Sequence, residues 1–325
     1  MPEETQFGRN PEILDATGFS GDGSLLMFGQ QVIEARSDTP ADPPPDTSIV
    51  WVDSTNDRLM IKITDGAGNT RTYTLAPATD YFVEVQRGNI TGETMVHKSG
   101  RNSAVPNGSF EFVNLLGFTA WPLSAATTVR IKAGGDAADD SGGNGAREVT
   151  VQGIDSNFAE LNEAITTNGV NASTATTASF WRIYSAWVSS AGVYGAANTA
   201  AVTIENSGGG TDLLQIGVEE GQSQFAGWTV PTGKTAYLMS VHVIVDGNKA
   251  ADVRMFTRAN IDDASAAVNS VRLKLYWDGL LGDFRYIPRG PDSVIAAKSD
   301  IWFEAQGSGA ITEVSVDFEL LVIDD

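Results

Sequence analysis

Residues 301–323 read IWFEAQGSGAITEVSVDFELLVI, and this stretch decides the fold class. Ile301–Gln306 is a short apolar-rich run, and Gly307-Ser308-Gly309 breaks it. From Glu313 the chain alternates. Val314, Val316, Phe318, Leu320 and Val322 fall on one side, and Ser315, Asp317 and Glu319 on the other. A period of two is that of a strand with one face in a core. Two such runs joined across glycines predict a hairpin. At the end of the stretch Leu321 and Ile323 join the polar side. A strand apolar on both faces needs cover on both. The core supplies one cover. A second sheet, a loop or another copy of the chain supplies the other, which makes Leu321 and Ile323 candidate subunit-interface residues.

The chain has 325 residues, enough for one large β domain, a small one and a substantial core. It has no cysteine, which excludes disulfides, thiolate metal sites and thiol nucleophiles. Only His97 and His242 are available for a histidine zinc site or a Ser-His-Asp relay, so both are poorly supported. The formal net charge of -20 would repel a phosphate backbone and disfavours anionic membrane surfaces. Met1-Pro2-Glu3-Glu4-Thr5 has neither the basic nor the apolar region of a signal peptide, and no apolar run has transmembrane length. The 34 glycines punctuate short apolar runs, the pattern of an all-β chain.

Residues 1–46 have little periodicity. Phe7, Phe19, Leu25, Leu26 and Phe28 punctuate a polar segment that ends in Asp42-Pro43-Pro44-Pro45-Asp46. A proline run is an extended spacer, so the segment reads as an arm that anchors to a partner through those apolar residues. Residues 47–79 read as a meander of three strands: Ser48–Val52, Arg58–Thr64 and Thr70–Leu75, with Asp/Gly/Asn turns between them. It is too small for a core of its own. Residues 80–325 read as a succession of short strands, including Tyr81–Gln86, Phe110–Phe118, Thr127–Lys132 and Glu148–Ile154. The expected architecture is therefore all-β: a jelly-roll-like antiparallel β-sandwich, a small N-terminal three-stranded module and an extended arm.

Several features of the large domain bear on function. The loop Gly134–Gly145 carries Asp136, Asp139 and Asp140. These are possible calcium ligands, but their spacing is not that of an EF-hand and a solvated acidic loop is the simpler reading. Phe158, Leu161 and Ile165 fit a helix turn or a strand equally. Ser179–Ser189 has Phe180, Tyr184 and Val188 on one alternation face and Trp181, Ile183 and Trp187 on the other. Exposed aromatics would make a sugar platform, whereas a two-faced strand is more often central or interfacial, so Trp181 and Trp187 are also interface candidates. His242 sits among Leu238, Ser240 and Ile244 as a structural histidine. Val271, Leu273, Leu275 and Trp277 alternate with Arg272, Lys274 and Tyr276. Pro288 assigns Phe284–Ile287 to a sheet edge.

Nothing in the chain spells a nucleotide-binding loop or a nucleophile elbow. Among 41 acidic residues a glycosidase-type carboxylate pair is not excluded, but none is marked by its sequence context. The expectation is a protein without catalytic residues, cofactor or metal.

Five motifs recur in a recognisable order. The first is Val96-His97-Lys98-Ser99-Gly100-Arg101-Asn102 with Ala104-Val105-Pro106-Asn107-Gly108. The second is Gly145-Ala146-Arg147-Glu148-Val149-Thr150-Val151-Gln152-Gly153-Ile154-Asp155. Tyr194-Gly195 leading to Ile204-Glu205-Asn206 is the third, and Thr229-Val230-Pro231-Thr232-Gly233-Lys234-Thr235-Ala236-Tyr237-Leu238 the fourth. Asp300-Ile301-Trp302 with Asp317-Phe318-Glu319-Leu320-Leu321 closes the set. As an ordered set spanning residues 96–325 they resemble a family of structural proteins of tailed bacteriophages, described as virion structural, capsid-surface or fibre proteins. Trp51-Val52-Asp53 resembles small modules near the start of phage surface proteins. The resemblance implies a β-rich, oligomeric virion protein and carries no catalytic residue.

Three functions compete. The first is a trimeric capsid-surface decoration or cement protein anchored by its arm to other virion proteins. The second is a tail-fibre or receptor-binding protein contacting host surface glycans. The third is a polysaccharide-acting enzyme on a jelly roll. The first is the leading expectation, with the protein on the virion surface and no nucleic acid or membrane as partner.

Overall fold

The computed structural model describes residues 35–36, 38–53, 58–76, 80–117, 121–263, 270–288, 290, 293–309 and 311–325. The arm residues Phe7, Phe19, Leu25, Leu26 and Phe28 lie outside the described residues. The chain divides between Thr91 and Gly92 into two compact units.

In the first unit, β2 (Thr47–Asp53), β3 (Arg58–Thr64) and β4 (Thr70–Ala76) form the expected meander, at nearly the expected boundaries. A fourth strand, β1 (Ala35–Arg36), adds to it in parallel, Ala35 opposite Val52. The sheet is thus four-stranded rather than three-stranded. Trp51 is buried, and the nearly buried Lys62 donates to the Pro40 carbonyl at 2.7 Å and pairs with Asp42 at 2.7 Å. The start of the proline-rich stretch is therefore packed on the sheet rather than held off it as a spacer. Tyr81–Gln86, expected as a strand, is helix α1. Asp80 caps it, its carboxylate accepting from the Phe82 amide at 2.9 Å, and the left-handed Gly88 follows its end. Tyr81, Val83 and Val85 alternate, but the cap outweighs an alternation that short. The helix belongs to the first unit, so the boundary falls after Thr91 rather than after residue 79.

The second unit is built on eight strands: β5 (Glu93–Val105), β13 (Gly227–Thr229), β14 (Lys234–Val245), β15 (Ala250–Arg258), β16 (Val271–Leu281), β17 (Asp283–Tyr286), β19 (Asp300–Gly307) and β20 (Thr312–Asp324). They form two sheets, β17-β14-β20-β5 and β13-β19-β15-β16. In chain order the strands fall in the first, second, first, second, second, first, second and first sheet. That alternation is the jelly-roll path, two nested Greek keys closed face to face. The short β18 (Val294–Ile295) also pairs with β14. As Pro288 implies, β17 is an edge.

The stretch that opens the argument behaves as expected in its faces and otherwise in its pairing. Val314, Val316, Phe318 and Leu320 are fully buried and Val322 nearly so, while Ser315, Asp317 and Glu319 are half-buried on the other face. But β19 and β20 are not a hairpin. The glycine break carries the chain from one sheet to the other, and Phe303 meets Phe318 across the sandwich at 5.2 Å between ring centroids. β20 pairs instead with β14 and β5. β19 is apolar on both sides because it is an inner strand whose outer face is also covered. Trp302 there is 5 % exposed beneath Phe112 and Phe256.

The strand beside β19 is made in two pieces. β6 (Glu111–Phe112) pairs with Ala305 and Glu304, and β13 pairs with Trp302, Ile301 and Asp300 in the same direction. Val113 and Ala226 close the gap, through Val113 N–H to the Phe303 carbonyl and Phe303 N–H to the Ala226 carbonyl. Residues 114–225 are therefore an insertion in the middle of one jelly-roll strand. This explains why, of the expected strand Phe110–Phe118, only Glu111–Phe112 is strand among the described residues. The insertion holds two further sheets. One is β10-β8-β9, of β8 (Ala146–Ile154), β9 (Glu160–Thr166) and β10 (Arg182–Ala191). The other is β12-β11-β7, of β7 (Val129–Ile131), β11 (Val202–Asn206) and β12 (Asp212–Ile216). Leu161 and Ile165 thus belong to a strand, and one apolar core runs through insertion and sandwich.

β16 departs from its clean alternation. Leu273 pairs with Phe256 and Leu275 with Met255, so Lys274 sits in a bulge. Val271 and Leu273 therefore share the outer face with Phe256 and are 50 % and 55 % exposed, while Leu275 and Trp277 turn toward the core.

Candidate functional site

The insertion is fastened by a buried ion network. Asp300 on β19 is fully buried. It accepts from Arg182 Nε at 3.1 Å and Nη2 at 3.2 Å, from Arg258 Nε at 3.1 Å and from Thr229 Oγ1 at 2.7 Å. Arg182, on β10 of the insertion, also donates to the Leu123 and Trp181 carbonyls. Burial pushes the Arg182 guanidinium down from its usual range, and the Asp300 charge opposes that. One carboxylate thus joins β10 of the insertion to β13, β15 and β19 of the sandwich.

At the far end of β8 the acidic loop ties segments of the insertion to one another. Asp139 is buried and accepts from the backbone N–H groups of Ala146 at 2.9 Å, Thr199 at 2.8 Å and Ala200 at 2.9 Å. Asp136 accepts from Ala138 N–H and Asp140 from Gly142 N–H, ordinary short turns. Among the described residues no cluster of histidine and acidic side chains has the arrangement of a metal site. The loop is therefore not wholly solvated, since its central aspartate is a staple. Gly145 makes room, because a Cβ there would lie 2.2 Å from the Asp139 carboxylate. Asn198 locks the neighbouring loops, donating to the Ala200 and Gly217 carbonyls and accepting from Gly221 N–H.

What this locked base displays is apolar. Gly192 packs against Gly143 so closely that a Cβ would sit 1.9 Å from the Gly143 carbonyl oxygen. Val193 and Tyr194 follow. Val193 is half exposed, Tyr194 wholly so, and Gly195 turns away in the left-handed region at φ 78°. Val218, on the loop that Asn198 holds, is 58 % exposed. The sequence reading missed this tip, quoting Tyr194-Gly195 only as part of a resemblance. The Gly-Val-Tyr-Gly spelling was the available signal.

The sequence-derived interface residues are scattered. Trp181 packs on Phe158 at 5.2 Å with the Arg182 guanidinium over its ring, and its buried Nε1 has no hydrogen-bond partner. Trp187 is half-buried further along β10. Leu321 is 8 % exposed between its sheet neighbours Met95 and Tyr237, so its cover lies within the chain, and Ile323 is half-buried.

Both histidines line a groove of about 340 Å³ on the outer face of the β17-β14-β20-β5 sheet. His242 Nε2 lies 2.5 Å from Asp283, and Ser240 donates to Glu319 at 2.7 Å. His242 is thus held on a polar sheet face rather than among apolar neighbours, because Leu238 and its bulge turn the other way. Elsewhere, Lys98 extends over the Tyr184 ring at 4.8 Å, and the Tyr184 hydroxyl donates to Glu160 at 2.7 Å. Desolvation lowers the Lys98 ammonium to about 8 against the favourable Glu160 charge, and burial raises the Tyr184 phenol above its usual range. These groups lie where β5 passes β10 of the insertion.

No family model matches the chain, and no curated protein does. Among solved structures it is similar to the infectious bursal virus derived T=1 particle chain, at 9 % identity and a TM-score of 0.20 over 75 % of each chain. It is also similar to the infectious bursal disease virus VP2 subviral particle, at 9 % identity and a TM-score of 0.18 over 75 % of this chain and 77 % of that one. Superpositions that weak carry no argument about fold or function.

Proposed function

We propose that the protein is a non-enzymatic structural component of a tailed-bacteriophage virion, a trimeric decoration or cement protein of the capsid surface anchored by residues 1–46. The observation that carries this reading is how the buried polar groups are used. Asp300 and Arg182 fasten the insertion to the jelly roll, and Asp139 and Asn198 fasten the insertion's own loops to one another. That is a scaffold presenting a rigid surface, without cysteine and with an acidic exterior suited to life outside a cell. The sequence resemblance to phage virion proteins points the same way. Labelling the protein on intact particles tests it: hundreds of copies spread over the shell are expected, and a few copies confined to the tail would refute it.

The fully exposed Tyr194 favours a second reading, a tail-fibre or receptor-binding protein that contacts host surface glycans with this tip. A glycan array probed with purified protein tests that reading, and an array without signal counts against it.

A further inference from the structure

Among the described residues, two surfaces of the second unit expose apolar side chains, and the charges beside them are of opposite sign. The first is the loop tip. Val193, Tyr194 and Val218 are exposed on it, and Asp136 and Glu219 are exposed on the same loop cluster. Its base does not move freely, because Asp139 and Asn198 bind its loops together through backbone groups. A rigid exposed aromatic loses little conformational freedom when it is buried by a partner.

The second surface is the outer face of β16. The bulge at Lys274 turns Val271 and Leu273 outward, where they are 50 % and 55 % exposed. Among the described residues β16 pairs only on its β15 side, so its other edge carries free backbone groups. Lys274 is half-buried in the bulge, while Arg272, opposite Thr257, projects from the other side of the sheet. Other cations of this sheet are paired, Arg254 with Glu304 and Arg258 with Asp300. Lys274 has no carboxylate partner among the described residues. On a chain with 41 acidic and 21 basic residues, an unpaired cation beside exposed apolar side chains is the unusual feature.

We propose that these two surfaces bind each other between copies of the chain: the Tyr194 tip of one copy seats on Val271 and Leu273 of the next, with Asp136 and Glu219 set against Lys274. Apolar contact supplies the affinity, and the charges select the orientation. The contact is heterologous, because the two patches differ. Each copy therefore has one tip and one seat to offer, and a small closed ring uses both. This deepens the oligomer reading above by naming the surfaces, and it makes the insertion the element that joins subunits.

Mixing two variants tests it, with mass followed by sedimentation velocity at micromolar concentration. Tyr194→Ser removes the tip, and Leu273→Asp spoils the seat. Both positions are exposed, and circular dichroism checks that each variant is folded. Each variant alone is expected to be monomeric. Mixed, they retain one intact tip and one intact seat per pair and should form a dimer that grows no further. Lys274→Glu should weaken wild-type assembly about tenfold or more, and Glu219→Lys on the partnering tip should restore it. Raising the salt concentration should weaken assembly of the wild type. Wild-type oligomers that persist unchanged in both single variants would overturn these surfaces while leaving the oligomer reading intact. A monomeric wild type would overturn both.

Discussion

Replacing Asp300 by Asn keeps the shape of the side chain and removes the charge. Arg182, 4 % exposed as a side chain, and Arg258, 23 % exposed, would then share a buried site with no anion. Breaking a buried ion pair from one side costs about 3–5 kcal/mol, because the remaining charge stays desolvated. Here two guanidiniums lose their anion, so the upper part of that range applies. A domain is commonly stable by only about 5–15 kcal/mol, so the change removes a large fraction of it. Equilibrium urea unfolding at pH 7, followed by tryptophan fluorescence, should show a lower midpoint with an unchanged slope. Proteolysis should first attack residues 114–225, since Arg182 is the insertion's link to β19. The exposed pair Lys234–Asp324 supplies the control, and Asp324→Asn should cost less than about 1 kcal/mol. Replacing Arg182, Asp300 and Arg258 together by apolar residues should recover much of the loss, because no charge is then left buried. If Asp300→Asn costs no more than Asp324→Asn, the network does not fasten the insertion and the reasoning fails.

Phe318→Ala should cost about 3–5 kcal/mol, since its ring is fully buried against Phe303, whereas Asp317→Ser on the opposite face should cost little; thermal melts compare them, and the reverse order would mean a register slipped by one residue. Gly100→Ala should prevent folding or cost several kcal/mol (of order 3), because a Cβ would lie 2.0 Å from Ala226 N and 2.4 Å from the Val113 carbonyl oxygen, both backbone atoms at the split strand; a soluble variant with an unchanged melt would refute that packing. Lys98 titrates at about 8 in the fold against 10.5 when unperturbed, so above pH 8 the unfolded chain binds more protons and this residue's contribution should favour folding increasingly between pH 8 and 10.5. Below pH 8 its desolvation penalty is fully present, so Lys98→Met should stabilise the protein there and the gain should shrink toward pH 10.5; denaturant melts at both ends of that range that show a constant difference would count against it.

Wherever neighbouring residues in the chain carry the information, the sequence was readable. The buried face of β20 follows from five alternating apolar residues, the meander from three β-rich runs between Asp/Gly turns, and the edge position of β17 from Pro288. The all-β class follows from the same local patterns. Where the outcome depends on what lies opposite, the sequence was silent or misleading. β5, a strand of 13 residues, has the unremarkable composition ETMVHKSGRNSAV and owes its conformation to β20. The bulge at Lys274 reverses half of an apparently perfect alternation. The glycines at 307–309 allow a hairpin and a crossing between sheets equally, and the choice is made by the pairing of β20 with β14 and β5. Likewise Asp139 in its loop and Asp300 at the start of β19 look like any surface aspartates until their partners arrive from 60 and 118 residues away. A side-chain period records only which face is apolar, so it decides burial within an element. Strand order, the split strand and the interior charges are set by contacts between distant segments, and only the folded chain brings those segments together.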